Sequence, residues 1–152
     1  MTAPDQSSCY ICGENGRFSE LPPRSSVLVE DGWRVAHTFD TPIPGRLVLL
    51  PLRHVESLSE LTLAEAELLG PVLARLSMAV EAVTGCSKTW VLMLAELPGF
   101  VHVHFHMVPR LKDFVLSPGG PSVIDFLRSF EGALLTDAQR DEIALRLRDA
   151  LR

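Results

Sequence analysis

The sequence predicts an α+β fold, and three observations lead to this prediction. Short β-prone runs fill the early part of the chain, a helical pattern covers residues 62–85, and two apolar runs follow at residues 88–95 and 102–109. Of the 152 residues, 47% are hydrophobic and 22% are charged, which suits one compact domain over residues 1–152. The longest apolar run, residues 47–52, is far shorter than the roughly 20 residues that cross a bilayer.

The first two predicted strands form a hairpin. Residues 26–30 and 33–39 are β-prone and are separated by Asp31-Gly32, a strong turn dipeptide. The next segment carries two prolines and a glycine, which indicates an irregular loop. That loop leads into an apolar strand at residues 46–51.

The long helix has a clear start and a clear stop. Thr62 suits the N-cap position, with Glu65 three residues later completing a capping box, and Gly85 ends the helical pattern. Apolar side chains recur between them at helical spacing. We expect Pro71 to kink this helix or to begin a second segment.

The remaining segments predict connections and C-terminal helices. Residues 96–100 predict a tight, ordered connection between the last two strands, and residues 117–121 predict a loop. Residues 122–130 and 137–151 are amphipathic and predict two helices that close the chain.

Charge and cysteine content exclude several classes of protein. The net charge of -5 gives no electrostatic footprint for nucleic acid or anionic lipid, so neither partner is expected. Residues 1–8 have no basic start and no apolar stretch, which predicts a cytoplasmic protein rather than a secreted one. Three cysteines, Cys9, Cys12 and Cys86, favour metal binding or free thiols over a disulfide framework. We expect Cys86 to be a small buried residue.

Three of the five histidines alternate along the last predicted strand. Because strand side chains alternate between faces, His102, His104 and His106 are expected to line one surface. A buried row of imidazoles gains nothing in packing over valine and costs desolvation, which favours a functional role. The outer pair lies roughly 13 Å apart at the backbone, so the three cannot share one metal ion. Neighbouring rings can bind one group together or belong to two adjacent sites. His37 lies in the predicted hairpin, and we interpret it as a surface histidine.

The second motif is Cys9-Tyr10-Ile11-Cys12-Gly13. A Cys-x-x-Cys pair fits a structural zinc knuckle, a redox pair or two ordinary cysteines. A redox pair would prefer a thioredoxin-like strand before it, and no such strand precedes Cys9. Gly13 suits the tight turn of a knuckle. The residues alone are compatible both with metal binding and with free thiols.

The nine residues that begin at His102 resemble the signature of the histidine triad family, His-x-His-x-His followed by two apolar residues and often Pro-Arg. Residues 44–51, Pro-Gly-Arg-Leu-Val-Leu-Leu-Pro, and His54 shortly after them extend the resemblance. It covers residues 9–110, with a loop and helices over residues 111–152. The resemblance implies an antiparallel sheet of about five strands with helices, and a homodimer.

The resemblance also implies a chemistry and a cofactor. His104 would attack an α-phosphate and form a nucleotidyl-histidine intermediate, and His106 would contact the phosphoryl oxygens. A neutral imidazole is nucleophilic near physiological pH, which suits the role. No Walker-type motif is present, so no magnesium is expected. The implied ligands of a structural zinc ion are Cys9, Cys12, His54 and His102.

Four further residues are candidates for substrate binding: Asp40, Arg46, Glu96 and Gly99. Asp40 lies near the position of the family's ribose-binding aspartate, although a turn-forming role fits it nearly as well. Arg46 replaces the family's Pro-Gly-His histidine and would bind an anion or lie at the surface. The family's Asn-x-Gly and Gly-Gln-Ser elements are absent. In their place, Glu96 could supply acid or base chemistry and the Gly99 N–H could bind an oxyanion.

Two functions are therefore predicted. The first is a nucleotide hydrolase or nucleotidyltransferase, with hydrolysis favoured, acting on a dinucleoside polyphosphate or a nucleotide phosphoramidate. The alternative is a zinc-stabilised protein that binds nucleotides and has little or no turnover, because the missing elements normally contact the phosphate and the leaving group.

Overall fold

The computed structural model describes residues 8–112, 123–124, 127 and 132–152. The helices and strands with assigned bounds are, in chain order, α1 (Tyr10–Asn15), β1 (Leu28–Glu30), β2 (Trp33–His37), β3 (Leu47–Pro51), α2 (Leu63–Thr84), β4 (Lys88–Met93), β5 (Phe105–Arg110) and α3 (Asp137–Ala150). Short 3₁₀ helices lie at Phe18–Glu20, Pro23–Ser25 and Leu58–Glu60.

The five strands form one antiparallel sheet in the order β1-β2-β3-β5-β4. This confirms the predicted α+β class and the antiparallel sheet of five strands. The predicted hairpin is also present, and its turn residues Asp31 and Gly32 have φ values of 48° and 83°. Two successive positive φ values match the twist that joins neighbouring antiparallel strands.

The two faces of the sheet have different surroundings. One face packs against α2 and α3 through a continuous apolar core, and its buried members include Trp33, Leu47, Leu49, Phe105 and Met107 of the sheet, Val72, Leu76 and Val80 of α2, and Leu147 of α3. The other face carries the alternate residues of the strands, among them Ala36, Val48 and His106. Together with α1 and nearby loops, this second face encloses a cavity.

Helix α2 begins and ends where the sequence predicts. Thr62 and Glu65 form the reciprocal capping box, and Gly85 ends the helix at a φ of 68°. The helix runs without interruption through Pro71, so no second segment begins there. Pro71 is exposed. Water can therefore bind the carbonyl that the proline leaves without an N–H partner.

Several predicted boundaries are wrong. Strand β5 begins at Phe105 rather than at residue 102, because the chain bends at His102 and the Val103 N–H donates to the carbonyl of Val55, 2.6 Å away. Strand β4 ends at Met93 rather than at residue 95, where Ala95 has a left-handed φ of 54°. Strand β2 ends at His37 rather than at residue 39.

The segment that carries the first two cysteines is also different from the prediction. It forms helix α1, and Gly13 lies inside this helix rather than in a tight turn. The Gly13 N–H donates to the Cys9 carbonyl, 3.1 Å away, as the first turn of the helix requires. The helix, rather than a turn at glycine, therefore brings the two thiols to one side.

The C-terminal prediction is confirmed in part. The predicted helix at residues 137–151 is α3, which begins with a capping box at Thr136 and Gln139. The predicted loop at residues 117–121 and most of the predicted helix at residues 122–130 lie outside the described residues. None of the helices among the residues that the structure describes is long and apolar enough to span a bilayer.

Candidate functional site

Four side chains from distant parts of the chain form a cluster with the chemistry of a metal site. Their ligand atoms all lie within 4.8 Å of one another, and they belong to Cys9, Cys12, His54 and His102. The Cys12 Sγ lies 3.1 Å from the His54 Nδ1 and 3.6 Å from the His102 Nδ1. The Cys9 Sγ is also 3.6 Å from the His102 Nδ1. This is the ligand set that the resemblance implied.

Each ligand is positioned by the element beside it. Cys9 is the N-cap of α1 and Cys12 lies one turn later, which places both thiols on one side of the helix. His54 follows β3, and His102 lies at the bend before β5. The Tyr10 N–H donates to the carbonyl of Gly99, 3.0 Å away, and this bond holds α1 against the segment that leads to His102.

The outer ring nitrogens also have partners. The His102 Nε2 lies 3.0 Å from the Pro51 carbonyl oxygen, and the His54 Nε2 lies 3.2 Å from a Glu56 carboxylate oxygen. Since these oxygens can only accept, each ring donates from Nε2 and presents the lone pair of Nδ1 to the cluster. This is the arrangement of histidines that bind metals in proteins, in which the second nitrogen is held by a carboxylate or a carbonyl.

The cluster fits a tetrahedral zinc ion. Bond lengths of 2.3 Å to sulfur and 2.0 Å to nitrogen around a tetrahedron imply sulfur-to-nitrogen separations of about 3.5 Å. The distances of 3.1 and 3.6 Å observed here agree with that value. Burial, together with the neighbouring Cys9 thiol, raises the pKa of Cys12 to about 12. A bound cation would lower the pKa of this thiol again, because it favours the thiolate over the thiol.

The other two histidines of the motif form a separate pair. The rings of His104 and His106 contact each other edge to face, with centroids 4.8 Å apart. His104 is half-buried, and its Nδ1 lies 2.7 Å from the carbonyl oxygen of His102. Because that oxygen only accepts, Nδ1 carries the proton and Nε2 carries the lone pair. The expectation that all three histidines line one surface is wrong, since His102 belongs to the cysteine cluster.

His106 is neutral at physiological pH. Burial, with smaller contributions from the neighbouring His104 and Arg46, lowers its pKa to about 4. Its Nδ1 is buried and has no hydrogen-bond partner among the residues that the structure describes. The same holds for the Nε of Arg46.

The His104 and His106 rings line a cavity of about 810 Å³. Its floor is the second face of the sheet, where Val48 and Leu50 give an apolar surface. The sequence reasoning missed the aromatic residues Tyr10, Phe39 and Phe100, which contact one another with ring centroids 5.3–6.1 Å apart and also line the cavity. They come from three separate segments, so no local pattern could have grouped them. A cavity with such walls suits a flat, partly apolar ligand.

His37 is buried, so its interpretation as a surface histidine is wrong. Its side chain holds the loop after β2: Nδ1 donates to the Thr38 carbonyl at 2.9 Å, and Nε2 accepts from the Gly45 N–H at 3.0 Å. Burial lowers the pKa of His37 to about 4. Protonation would place two N–H groups against each other at Gly45. His37 therefore fixes the segment that leads into β3.

The four candidate substrate-binding residues occupy different places. Glu96 is exposed and lines the cavity. Asp40 is exposed at a left-handed φ of 47°, Gly99 is exposed at a φ of 82°, and neither is among the residues that line the cavity. Arg46 is partly buried beside His106, and burial lowers its pKa. Their roles in binding stay predictions.

Comparisons with known proteins identify the fold. Neither a scan against family models nor a search of curated proteins found a match. Among solved structures, a hypothetical histidine triad nucleotide-binding protein from Sulfolobus tokodaii strain 7 superimposes with a TM-score of 0.71 at 18% identity. The alignment covers 94% of this chain and 91% of that one. The chain has the histidine triad fold.

Two further structures extend the comparison. A zinc-bound histidine triad family protein from Mycobacterium smegmatis matches with a TM-score of 0.69 at 19% identity, over 96% of this chain and 94% of that one. A uridylyltransferase structure matches with a TM-score of 0.65 at 22% identity, over 95% of this chain but 45% of its own. The resemblance to the histidine triad family that the motif predicted is thus confirmed at the level of the fold. In this fold, His102 belongs to the Cys2His2 cluster, whereas His104 and His106 line the cavity.

Proposed function

We propose that this histidine triad protein is a nucleotide hydrolase or nucleotidyltransferase, with hydrolysis favoured, and that His104 is its nucleophile. One observation carries the proposal: the Nδ1 of His104 donates to the His102 carbonyl at 2.7 Å, while the ring lines the cavity. The proton is held at Nδ1, so the lone pair of Nε2 is free to attack. A neutral imidazole of this kind is competent near neutral pH.

The proposed reaction has two displacements at the α-phosphorus. In the first, Nε2 of His104 forms a bond to phosphorus while the bond from phosphorus to the leaving group breaks. In the second, water or another acceptor attacks phosphorus and the bond to Nε2 breaks, which restores the imidazole. In the first displacement we assign the protonated Glu96 carboxyl at the cavity wall as the group that gives its proton to the leaving group. In the second, the resulting Glu96 carboxylate takes the proton of the attacking water, which restores the carboxyl.

His106 has a different role in this proposal. As a neutral ring with a pKa of about 4, it can donate one hydrogen bond to an equatorial phosphoryl oxygen. Its edge contact with the His104 ring supports a role beside the phosphorus in the proposed reaction. Donors aimed at these oxygens stabilise the charge that builds up during in-line transfer.

The cavity supports the proposed substrate class. Its volume of about 810 Å³, its apolar floor and its aromatic walls suit a nucleoside, with the phosphate at the histidines. We propose a dinucleoside polyphosphate or a nucleotide phosphoramidate. The name of the Sulfolobus neighbour, a nucleotide-binding protein, supports a nucleotide ligand. The homodimer and the cytoplasmic location stay predictions.

We also propose that the Cys2His2 cluster holds a structural zinc ion. The ligand set leaves no open position for a substrate, and the neighbour from Mycobacterium smegmatis is described as zinc-bound. The ion would tie α1 to the segment before β5. It takes no part in the displacements.

A second candidate function is nucleotide binding with little or no turnover. It is favoured by the exposed connection at residues 96–99, which replaces the family's elements for the phosphate and the leaving group. Incubation with adenosine 5′-phosphoramidate and with diadenosine tetraphosphate, followed by chromatography of the products, separates the two. We expect release of adenosine 5′-monophosphate by the wild type and none by His104→Gln, which still binds the nucleotide. Equal, trace release by both proteins would support the binding function instead.

A further inference from the structure

One amide side chain connects the two halves of the Cys2His2 cluster. Asn15 is the last residue of α1, shortly after Cys12, and it is buried. Its Nδ2 donates to the carbonyl of Pro51, 3.1 Å away, and to the carbonyl of Leu52, 3.0 Å away. Pro51 ends β3, and the chain reaches His54 shortly after it. The amide therefore bonds the helix of the two cysteines to the segment that leads to one of the histidines.

The Pro51 carbonyl also holds the other histidine of the cluster. Its oxygen lies 3.0 Å from the His102 Nε2 as well as 3.1 Å from the Asn15 Nδ2. A carbonyl oxygen has two lone pairs, and these two donors use both of them. A movement of this carbonyl would therefore turn the His102 ring or release it. The position of the carbonyl depends in turn on Asn15.

Arg34 of β2 fixes the orientation of the amide. Its Nε donates to the Asn15 Oδ1 at 2.7 Å, and its Nη1 donates to the Ser25 carbonyl at 2.5 Å. A guanidinium can only donate, so the amide oxygen must face Arg34 and the amide nitrogen must face the two carbonyls. The charge of the donor strengthens the bond to Asn15. Since Arg34 is itself only 3% exposed, the amide is held from inside the protein.

These bonds form one buried chain from Arg34 through Asn15 and the Pro51 carbonyl to His102. Such a chain holds the ligands near their binding positions before the ion arrives. Less of the free energy of metal binding is then needed to order the protein. Groups that orient metal ligands from outside the first shell typically change metal affinity by about 10–100-fold.

We propose that Asn15 and Arg34 are positioning residues of the zinc cluster. Asn15 holds the carbonyl that orients His102, and Arg34 holds Asn15, so Arg34 acts on the cluster only through Asn15. This inference rests on the proposed zinc site and adds two residues to it, neither of which is a ligand.

Zinc affinity of the full chain, measured by competition with a chromophoric chelator, tests the role of Asn15. Asn15→Asp keeps the shape of the side chain and an acceptor for Arg34, but it replaces the amide nitrogen by an oxygen that repels the two carbonyls. We expect its zinc affinity to be about 10–100-fold lower than that of the wild type. Cobalt(II) in place of zinc gives a second readout, because its visible absorption depends on the coordination geometry. Asn15→Asp should change this spectrum.

Thr41→Val is the control for the loss of a buried polar group. Thr41 is 1% exposed, and its hydroxyl accepts from the Ile43 N–H at 3.1 Å, outside the network of Asn15. This variant should keep the zinc affinity and the cobalt spectrum of the wild type. A merely structural role of Asn15 would instead give the two variants the same behaviour.

A double-mutant cycle tests the order of the chain. Arg34→Met should lower the zinc affinity by about tenfold when Asn15 is present. In the background of Asn15→Ala, the same change should lower it by less than about twofold, because the path through the amide is already broken. Should Asn15→Asp fail to fold, Asn15→Ala replaces it in the first comparison. Arg34→Lys, which lacks the planar fork, replaces Arg34→Met in the same way.

Three results would overturn the inference while leaving the zinc site standing. The first is a wild-type zinc affinity or an unchanged cobalt spectrum in Asn15→Asp. The second is an equal loss of affinity in Thr41→Val. The third is an effect of Arg34→Met that is the same with and without Asn15. If the wild-type protein binds no zinc, the proposed zinc site itself fails, and the inference fails with it.

Discussion

The ring of His104 is fixed by the backbone of His102, through a bond of 2.7 Å between Nδ1 and the carbonyl oxygen. His102 is fully buried and its own ring belongs to the Cys2His2 cluster. The residue that would bind the metal thus also orients the proposed nucleophile. The structural cluster and the reactive ring are therefore coupled through a single residue.

The first prediction follows from this coupling. Cys9→Ser should lose bound zinc and about 4 kcal/mol or more of stability, because loss of a metal is among the most destabilising changes. Turnover should fall with the zinc content, since His102 loses its anchor. Metal analysis, urea unfolding and the phosphoramidate assay measure the three quantities.

Cys86→Ser is the matched control for Cys9→Ser. Cys86 is also a buried thiol, at 8% exposure, but it lies outside the cluster. It should keep the zinc and the activity. Equal zinc content in Cys9→Ser and Cys86→Ser would refute the metal assignment.

The second prediction concerns the partner of His54. Glu56→Gln weakens the acceptor for the His54 Nε2, now 3.2 Å away. Loss of such an outer partner lowers metal affinity by about 10–100-fold. Competition with a chromophoric chelator gives the affinity, and Glu67→Gln, on an exposed position of α2, serves as the control. An unchanged affinity would mean that Glu56 does not hold the ring.

The third prediction is a pH dependence of stability. His37 is neutral when folded, with a pKa of about 4, whereas an unfolded histidine titrates near 6.5. The unfolded state therefore binds more protons between these values, so stability is present above pH 6.5 and falls as pH drops toward 4. Between pH 7 and pH 5 this residue should remove about 2 kcal/mol.

Urea unfolding of the wild type and of His37→Gln at pH 7 and pH 5 isolates this contribution. The difference between the two proteins cancels the other titrating groups. The variant should lose less stability on acidification than the wild type. Parallel losses in both proteins would show that His37 is not the group responsible.

The fourth prediction compares two glycines with similar backbones. Gly45 and Gly32 have φ values of 75° and 83°. A Cβ at Gly45 would lie 2.6 Å from the Thr84 Cγ2, whereas one at Gly32 would meet nothing within 4 Å. Gly32→Ala should cost about 1–2 kcal/mol of stability for the backbone alone. Gly45→Ala should cost about 1–3 kcal/mol more because of the added contact. Thermal unfolding that ranks the two variants equally would contradict the packing at Gly45.

The local features of the fold were predictable from sequence, because they depend on neighbouring residues. The turn at Asp31-Gly32 and the capping box at Thr62 are examples. The burial of His37 was not predictable, since β2 is buried on both faces and alternation cannot then separate inside from outside. This strand contacts α3 and the 3₁₀ helix Pro23–Ser25, and its residues Ala36 and His37 line the cavity.

The candidate site depends on contacts between distant segments. The resemblance to a family, rather than spacing, supplied the ligand set that joins Cys9 to His102. Arg34 of β2 and Arg140 of α3 also line the cavity. Neither gave a local signal, because arginines on a strand and on an amphipathic helix are both usually interpreted as surface residues. Only the packing of α3 against the 3₁₀ helix Pro23–Ser25 brings them to one cavity.

The most direct test of the account is the mass of the intact protein after brief mixing with adenosine 5′-phosphoramidate and quenching without acid. The account predicts the mass of one added adenylyl group on the wild-type protein, and no adduct in His104→Gln. An adduct that survives in His104→Gln, or turnover that is unchanged in that variant, would contradict the central claim that this ring attacks the phosphate.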